Sequence, residues 1–152
     1  MSLGNYTQIT NDLLQEFKPV MEDDNDAKQF IGLLEQVRNL ANKDVQKRQM
    51  ILSDLIFWKN QFENLQKQTE ITLKKLEAVA YSKAVNELTA GKSYKPTETQ
   101  IKNYLESVGD TPERTRHLER LTVVQKWAGI LQDLYFVSQT THKILGGGSV
   151  IG

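Results

Sequence analysis

The chain has 152 residues, close to the commonest size of one domain, and its 39% hydrophobic and 25% charged residues are too apolar for wholesale disorder. Cysteine is absent, which excludes disulfides, thiolate metal sites and cysteine nucleophiles and fits a reducing cytoplasm. The formal net charge is zero, and no run approaches the roughly 20 apolar residues of a membrane span, so we expect a cytoplasmic protein without a membrane partner.

The amino-terminal segment, residues 1–26, is acidic, and we expect it to be weakly structured. A helical pattern is confined to Leu13–Phe17, because a Lys-Pro pair follows it. The next acidic stretch is typical of a loop. Asp26 and Gln29 then have the spacing of a capping pair at the start of an amphipathic helix.

A long central helix is predicted next. The stretch Asn42–Asp44 either breaks the preceding helix or is crossed by it, and no glycine or proline interrupts residues 43–90. Apolar residues recur there in steps of three and four, as in a heptad seam. The seam comprises Leu55, Trp58, Phe62, Leu65, Thr69, Thr72, Leu76 and Val79. Periodic helices longer than about 25 residues are typical of coiled coils, so we expect a second copy of the chain to cover this seam.

Two further helices follow. Thr97–Gln100 has the spacing of a capping box and opens a short helix. Thr111 then caps a long terminal helix with Pro112 at its first position. Glycines end this helix, and residues 147–152 form a flexible tail. The pattern predicts an all-α fold, an elongated helical bundle in which the coiled-coil-like central helix packs against the long C-terminal helix within one domain, residues 27–146.

The apolar faces of the two long helices are predicted to form a homo-oligomer interface. Its residues are Leu55, Trp58, Phe62, Leu65, Leu76, Val124, Trp127, Leu131 and Leu134. The aromatic residues of these helices have the spacing of helix-packing residues, which favours a core over a ligand pocket. They are Phe57, Trp58, Phe62, Trp127, Tyr135 and Phe136.

Motifs for catalysis or metal binding do not emerge from the sequence. Gly91-Lys92-Ser93 resembles the end of a phosphate-binding P-loop, but Asn86 stands where that motif needs a glycine. His117 and His142 are separated by about 37 Å of predicted helix, so they cannot share a metal, and we expect both on an exposed helix surface. We therefore predict a non-enzymatic protein with no catalytic residue, no metal and no cofactor.

The charge distribution indicates binding to an anionic partner. Residues 1–35 carry a net charge of −5 and residues 36–102 a net charge of +5. Lysines and tyrosines alternate around the end of the long helix and the connection after it, with Lys102 and Tyr104 close by. The predicted nucleic-acid-binding residues are Lys67, Lys74, Lys75, Lys83, Lys92, Lys95, Tyr81 and Tyr94. Lysines that follow a phosphate backbone beside aromatics that stack on bases suit single-strand binding. A solvated lysine-rich face and tyrosines that simply pack are the alternatives.

The order of elements resembles a known family. The long helix ends in Leu73–Lys83, the capped helix Thr97–Lys102 follows, and the terminal helix contains the run Gln125–Leu134. Over roughly residues 50–146 this order is similar to the UvsY type of phage recombination mediator. The resemblance implies a ring-like homo-oligomer that binds single-stranded DNA and helps load a RecA-like recombinase onto DNA covered by single-strand-binding protein, in the host cytoplasm.

The resemblance also bears on individual residues. It places the family's DNA-contacting stretch at Lys74 and Lys75, whereas Glu77 stands where another base would be expected. The alternative function belongs to a different class: a structural or chaperone-like helical protein whose seam binds another protein's helix without binding nucleic acid. That alternative predicts that Trp58 and Leu65 are essential to a protein complex and that the two lysines are dispensable.

Overall fold

The computed structural model describes residues 3–92 and 94–147. The helices are α1 Leu3–Phe17, α2 Asp24–Arg38, α3 Val45–Thr89, α4 Glu98–Val108 and α5 Pro112–Ile144, and a 3₁₀ turn at Leu40–Asn42 joins α2 to α3. No strand occurs in these two ranges, and α3 packs against α5, so both parts of the fold prediction are confirmed. The flexible tail predicted for residues 147–152 lies, from residue 148 onwards, outside the described residues, as does Ser93.

The start of α2 differs from the prediction, and the start of α3 decides between the two predicted alternatives. The α2 helix begins three residues earlier than expected, because Asp23, rather than Asp26, is its N-cap and accepts a hydrogen bond from the Asn25 amide at 2.8 Å. The stretch before α3 breaks the helix, because the Asp44 carboxylate accepts from the Lys47 amide at 2.8 Å and so starts a new helix. Beyond that point α3 is continuous for 45 residues, as its lack of glycine and proline predicts.

The two later helix starts are confirmed. At α4 the Thr97 hydroxyl accepts from the Gln100 amide at 3.2 Å, and the Gln100 side chain accepts from the Thr97 amide at 2.9 Å. This reciprocal pair is a capping box, and it satisfies two backbone donors at once. At α5 the Thr111 hydroxyl accepts from the Arg114 amide at 3.2 Å, directly before Pro112 takes the first helical position.

The chain forms two compact units. Unit 1 contains the residues up to Gln66 and those from Thr122 onwards, and unit 2 contains Lys67–Leu121. The core of unit 1 is an aromatic cluster contributed by α1, α2, α3 and α5. The ring centres of Phe17 and Trp127 are 5.0 Å apart, and Phe30 lies 5.1 Å from Trp58 and 5.3 Å from Phe62. All three pairs are tilted, so none has the less favourable face-to-face sandwich geometry.

The amino-terminal segment is more ordered than the sequence suggested. The α1 helix spans Leu3–Phe17 instead of the five residues predicted, and Phe17 is fully buried. The Glu16 carboxylate beside it accepts a hydrogen bond from the Trp127 indole at 3.1 Å and pairs with the Lys126 ammonium. A helix of this length is marginal by itself and depends on tertiary packing, which its own sequence does not reveal.

Five of the nine predicted interface residues lie inside the chain's own core. They are Leu55, Phe62, Val124, Trp127 and Leu131, each at most 7% exposed. Trp58, Leu65 and Leu134 are partly buried against the same core, and Leu76 is partly buried in unit 2. Because α1 and α2 share a core with the seam residues of unit 1, the five buried residues are corrected from interface to core. A homo-oligomer, and the part of Trp58, Leu65, Leu76 and Leu134 in its interface, stay predictions.

Three further expectations about individual side chains were wrong. Phe57 and Phe136, predicted to pack in the core, are 55% and 70% exposed, because the covered faces of α3 and α5 are those of Phe62 and Leu131. His142, predicted to be exposed, is fully buried. Its ring Nδ1 accepts a hydrogen bond from the buried Arg48 guanidinium at 3.1 Å.

Unit 2 has a smaller and more polar interior. Its buried side chains are Thr69, Leu73, Ala84 and Ile101. At the start of α5, Arg114 forms ion pairs with Asp110 at 2.6 Å and with Glu77 of α3 at 3.5 Å. Pairs as exposed as these contribute at most about 1 kcal/mol each.

Candidate nucleic-acid interface

The predicted nucleic-acid-binding residues all lie in unit 2, and all eight are exposed. None of the ion pairs found within residues 3–92 and 94–147 uses one of the six lysines. A solvated ammonium that has no carboxylate partner is available to a phosphate without first breaking an existing pair. Exposure and charge therefore suit these lysines to an anionic ligand.

The lysines of α3 do not share one face. Lys67 and Lys74 are seven residues apart, which is close to two helical turns, so they lie in line and about 10 Å apart. Lys75 is rotated from that line by about 100°. Lys83 follows Lys74 by nine residues, about two and a half turns, and so points to the opposite side of the helix. One strand of nucleic acid lying along α3 would meet the first three lysines and miss Lys83.

Tyr81 has a structural partner. Its hydroxyl donates a hydrogen bond to the Glu98 carboxylate at 2.8 Å and so links α3 to the first turn of α4. This hydrogen bond raises the pKa of Tyr81 above its usual value, with smaller contributions from desolvation and from the negative charge of Glu98. Tyr81 thus links the two helices by a hydrogen bond. It does not line the groove that lies between the end of α3 and α4.

An open groove of about 360 Å³ is formed by the end of α3, by α4 and by the segment that connects them. It is lined by Leu88, Lys92, Tyr94, Gln100, Asn103, Tyr104 and Ser107. The Lys92 ammonium lies 5.8 Å from the centre of the Tyr94 ring, within the range of a cation–π contact. The structure therefore brings two predicted residues, Lys92 and Tyr94, into one concave surface.

The sequence prediction missed most of this groove. Leu88, Gln100, Asn103 and Ser107 were not predicted as binding residues, and Tyr104 was noted only for its place among the lysines. A signal did exist, since positions 100, 103, 104 and 107 have the i, i+3, i+4 and i+7 spacing of one helix face. Lys95 is exposed in the connection but does not line the groove.

Glu77 has an ion-pair partner on another helix. Its carboxylate pairs with Arg114 of α5 at 3.5 Å, so it connects two helices of unit 2. It remains 58% exposed, three residues after Lys74. The acid therefore has a structural partner, and it also lowers the positive charge of the face on which Lys74 lies.

Two further features concern the described ranges, residues 3–92 and 94–147. No group of three histidines and acids that could hold a metal occurs there. Nor does any helix in those ranges have the length and hydrophobicity of a membrane span. No protein-family model, curated protein or solved structure matches this chain, so the resemblance to UvsY-type mediators rests on its own residues.

Proposed function

We propose that this protein is a non-enzymatic, single-stranded-DNA-binding protein that acts, as a homo-oligomer, in the manner of a recombination mediator. The observation that carries the DNA-binding part is the presence in unit 2 of six exposed lysines outside any described ion pair, one of which, Lys92, lines a groove that also contains two tyrosines. Lysines supply phosphate contacts that do not depend on sequence, and aromatic rings supply stacking. The mediator role rests on the resemblance of the element order.

The salt dependence of binding gives a quantitative expectation. Each phosphate contact to a single strand changes the slope of log K against log salt by about −0.7. If Lys67, Lys74 and Lys75 of α3 each contact a phosphate, the affinity falls by about 40-fold between 50 and 300 mM salt. If all six lysines do so, it falls by about 2,000-fold. A weaker dependence would mean that fewer than three lysines are engaged.

The test is fluorescence anisotropy of labelled oligo(dT) titrated with the protein at 50 and 300 mM NaCl. The double variant Lys74→Glu/Lys75→Glu should weaken binding at 50 mM and flatten the salt slope by about 1.4. Lys28→Glu/Lys47→Glu is the matched control, because it makes the same change of charge at exposed positions of unit 1. No binding by the wild-type protein at 50 mM, or equal losses in both double variants, would contradict the proposal.

The mediator part needs its own experiment. Strand coating by a RecA-like recombinase is measured on DNA already covered by single-strand-binding protein, with and without this chain. We expect faster coating with the wild-type protein and a smaller effect with Lys74→Glu/Lys75→Glu. Native mass spectrometry of the same samples tests the homo-oligomer. A protein that binds oligo(dT) but never changes the coating rate would be a DNA-binding protein of another kind.

The second candidate is a protein-interaction module, and one observation favours it. Unit 1 exposes Phe57, Phe136 and Val137 by 55%, 70% and 60%, and Phe136 and Val137 line a shallow groove of about 450 Å³ on α5. Exposed apolar patches often mark protein-binding surfaces. In that case Phe136→Ser would abolish capture of a helical partner, and Lys74→Glu/Lys75→Glu would leave capture unchanged.

A further inference from the structure

We propose that the groove of unit 2 binds one unpaired nucleobase, with its flat face against a tyrosine and its edge toward the Asn103 amide. This inference rests on the proposed function and specifies what the protein holds besides phosphate. Three elements build the groove: Leu88 comes from the end of α3, Tyr94 from the connection, and Asn103 and Tyr104 from α4. None of these elements could form the groove alone, so the groove exists only when unit 2 is folded.

The apolar part of the groove suits the face of a base. Leu88 and Tyr104 are both half-buried, whereas Tyr94 is 57% exposed, so much of its ring surface is accessible to a ligand. Every base has a π-face that can stack on an aromatic ring, and such stacking contributes about 1–3 kcal/mol per base. The cavity of about 360 Å³ lies at the small end of the range for ligand pockets, as a single base requires.

The polar part of the groove suits the edge of a base. Asn103 carries an amide with both a donor and an acceptor. The side-chain oxygen of Gln100, Oε1, already accepts a hydrogen bond from the Thr97 backbone amide at 2.9 Å, which leaves the side-chain NH₂ group as a donor. The Ser107 hydroxyl donates to the Tyr104 carbonyl at 2.7 Å and keeps lone pairs that can accept. Base edges present donors and acceptors side by side, and an amide can pair with both.

The charge at the groove fits the rest of a nucleotide. No acidic residue lines it, and the Lys92 ammonium lies next to the Tyr94 ring. A base held between the tyrosines would bring its phosphate within reach of a lysine of this kind. A purely apolar ligand would cover the Asn103 amide without offering it a hydrogen-bond partner, and a simple anion would need neither tyrosine.

The experiment compares oligo(dT) with an oligonucleotide of equal length in which abasic sites replace the bases, at 50 mM NaCl. Both carry the same phosphates, so their affinity ratio isolates the base. We expect wild-type protein to prefer oligo(dT) by about 10-fold, in line with one stacked base. Tyr94→Leu and Asn103→Leu should each lower that ratio and leave the abasic affinity unchanged, because both side chains are exposed and outside the core.

Asn86→Leu is the matched control, since it makes the same change at an exposed site of α3 that does not line the groove. A ratio near one in the wild type, or a ratio unaffected by Tyr94→Leu and Asn103→Leu, would overturn the inference while phosphate binding stands. If no oligonucleotide binds, the proposed function fails, and NMR with deoxynucleoside monophosphates tests the groove alone. Shifts of the Asn103 side-chain amide that vanish in Tyr94→Leu would support the groove, and their absence would overturn it.

Discussion

Replacing Arg48 by methionine tests the buried polar cluster that joins the start of α3 to the end of α5. Arg48 is only 5% exposed. Its guanidinium donates to Nδ1 of the fully buried His142 at 3.1 Å, to the Leu145 carbonyl at 3.3 Å and to the Lys43 carbonyl. None of these partners is a carboxylate, so the charge is balanced by carbonyl oxygens, one of them at the C-terminal end of α5, where the helix dipole favours a cation.

The magnitude follows from two opposing effects. A hydrogen bond from a charged donor contributes about 1.5–3 kcal/mol, and Arg48→Met leaves three buried or half-buried acceptors without a donor. Against this, methionine removes the cost of keeping a charge out of water, which is several kcal/mol. Methionine also fills much of the volume of the arginine stem. We expect a net loss of about 3 kcal/mol in the free energy of unfolding.

The assay is urea unfolding followed by tryptophan fluorescence, which reports on unit 1 because both tryptophans, Trp58 and Trp127, lie there. Lys47→Met is the control: it removes an exposed cation of the same helix turn and should change stability by less than about 0.5 kcal/mol. A loss in Arg48→Met below about 1 kcal/mol would refute the reasoning, because desolvation would then cancel the hydrogen bonds. His142→Leu combined with Arg48→Met should cost less than the two single changes together, since they share one contact.

Three more predictions concern the core, a tyrosine and a charge. Phe62→Ala should lower the free energy of unfolding in urea by about 3–5 kcal/mol, whereas Phe57→Ala, at a 55% exposed site, should change it little; similar losses would contradict the assigned core. The hydrogen bond to Glu98 favours neutral Tyr81, so its stabilisation is present at neutral pH and is lost as the pH rises above 10 through the raised pKa. Glu98→Ala should therefore make one tyrosine ionise at lower pH in an ultraviolet titration, and an unchanged curve would count against the contact. Glu77→Lys should tighten oligo(dT) binding at 50 mM NaCl while costing at most about 1 kcal/mol of stability, and weaker binding would place the DNA elsewhere.

The candidate groove shows the limit of sequence reasoning for function. The charge distribution and the spacing of lysines and tyrosines predicted binding residues in the segment that forms unit 2, and two of them, Lys92 and Tyr94, line its groove. Asn103 was not predicted as a binding residue, although its spacing from Tyr104 and Ser107 placed it on one face of α4. That face becomes a site only because Leu88 of α3 lies against it, and no pattern within α4 contains that information.

By itself, the sequence determined α3, α4 and α5 and the starts of the last two. Thr97 with Gln100 and Thr111 with Pro112 predicted two helix starts correctly, because a cap is made of hydrogen bonds between residues at most three or four apart. The uninterrupted apolar period predicted α3 for the same local reason.

Tertiary structure decided which side chains are inside. Phe17 became central to the core although its segment looked weakly helical, and Phe57 stayed exposed although its neighbours are apolar. His142 is buried because Arg48, 94 residues earlier in the chain, donates a hydrogen bond to it. Whether a side chain is buried depends on residues that are distant in sequence. A periodic pattern therefore predicts which face of a helix is apolar, but not which element covers that face.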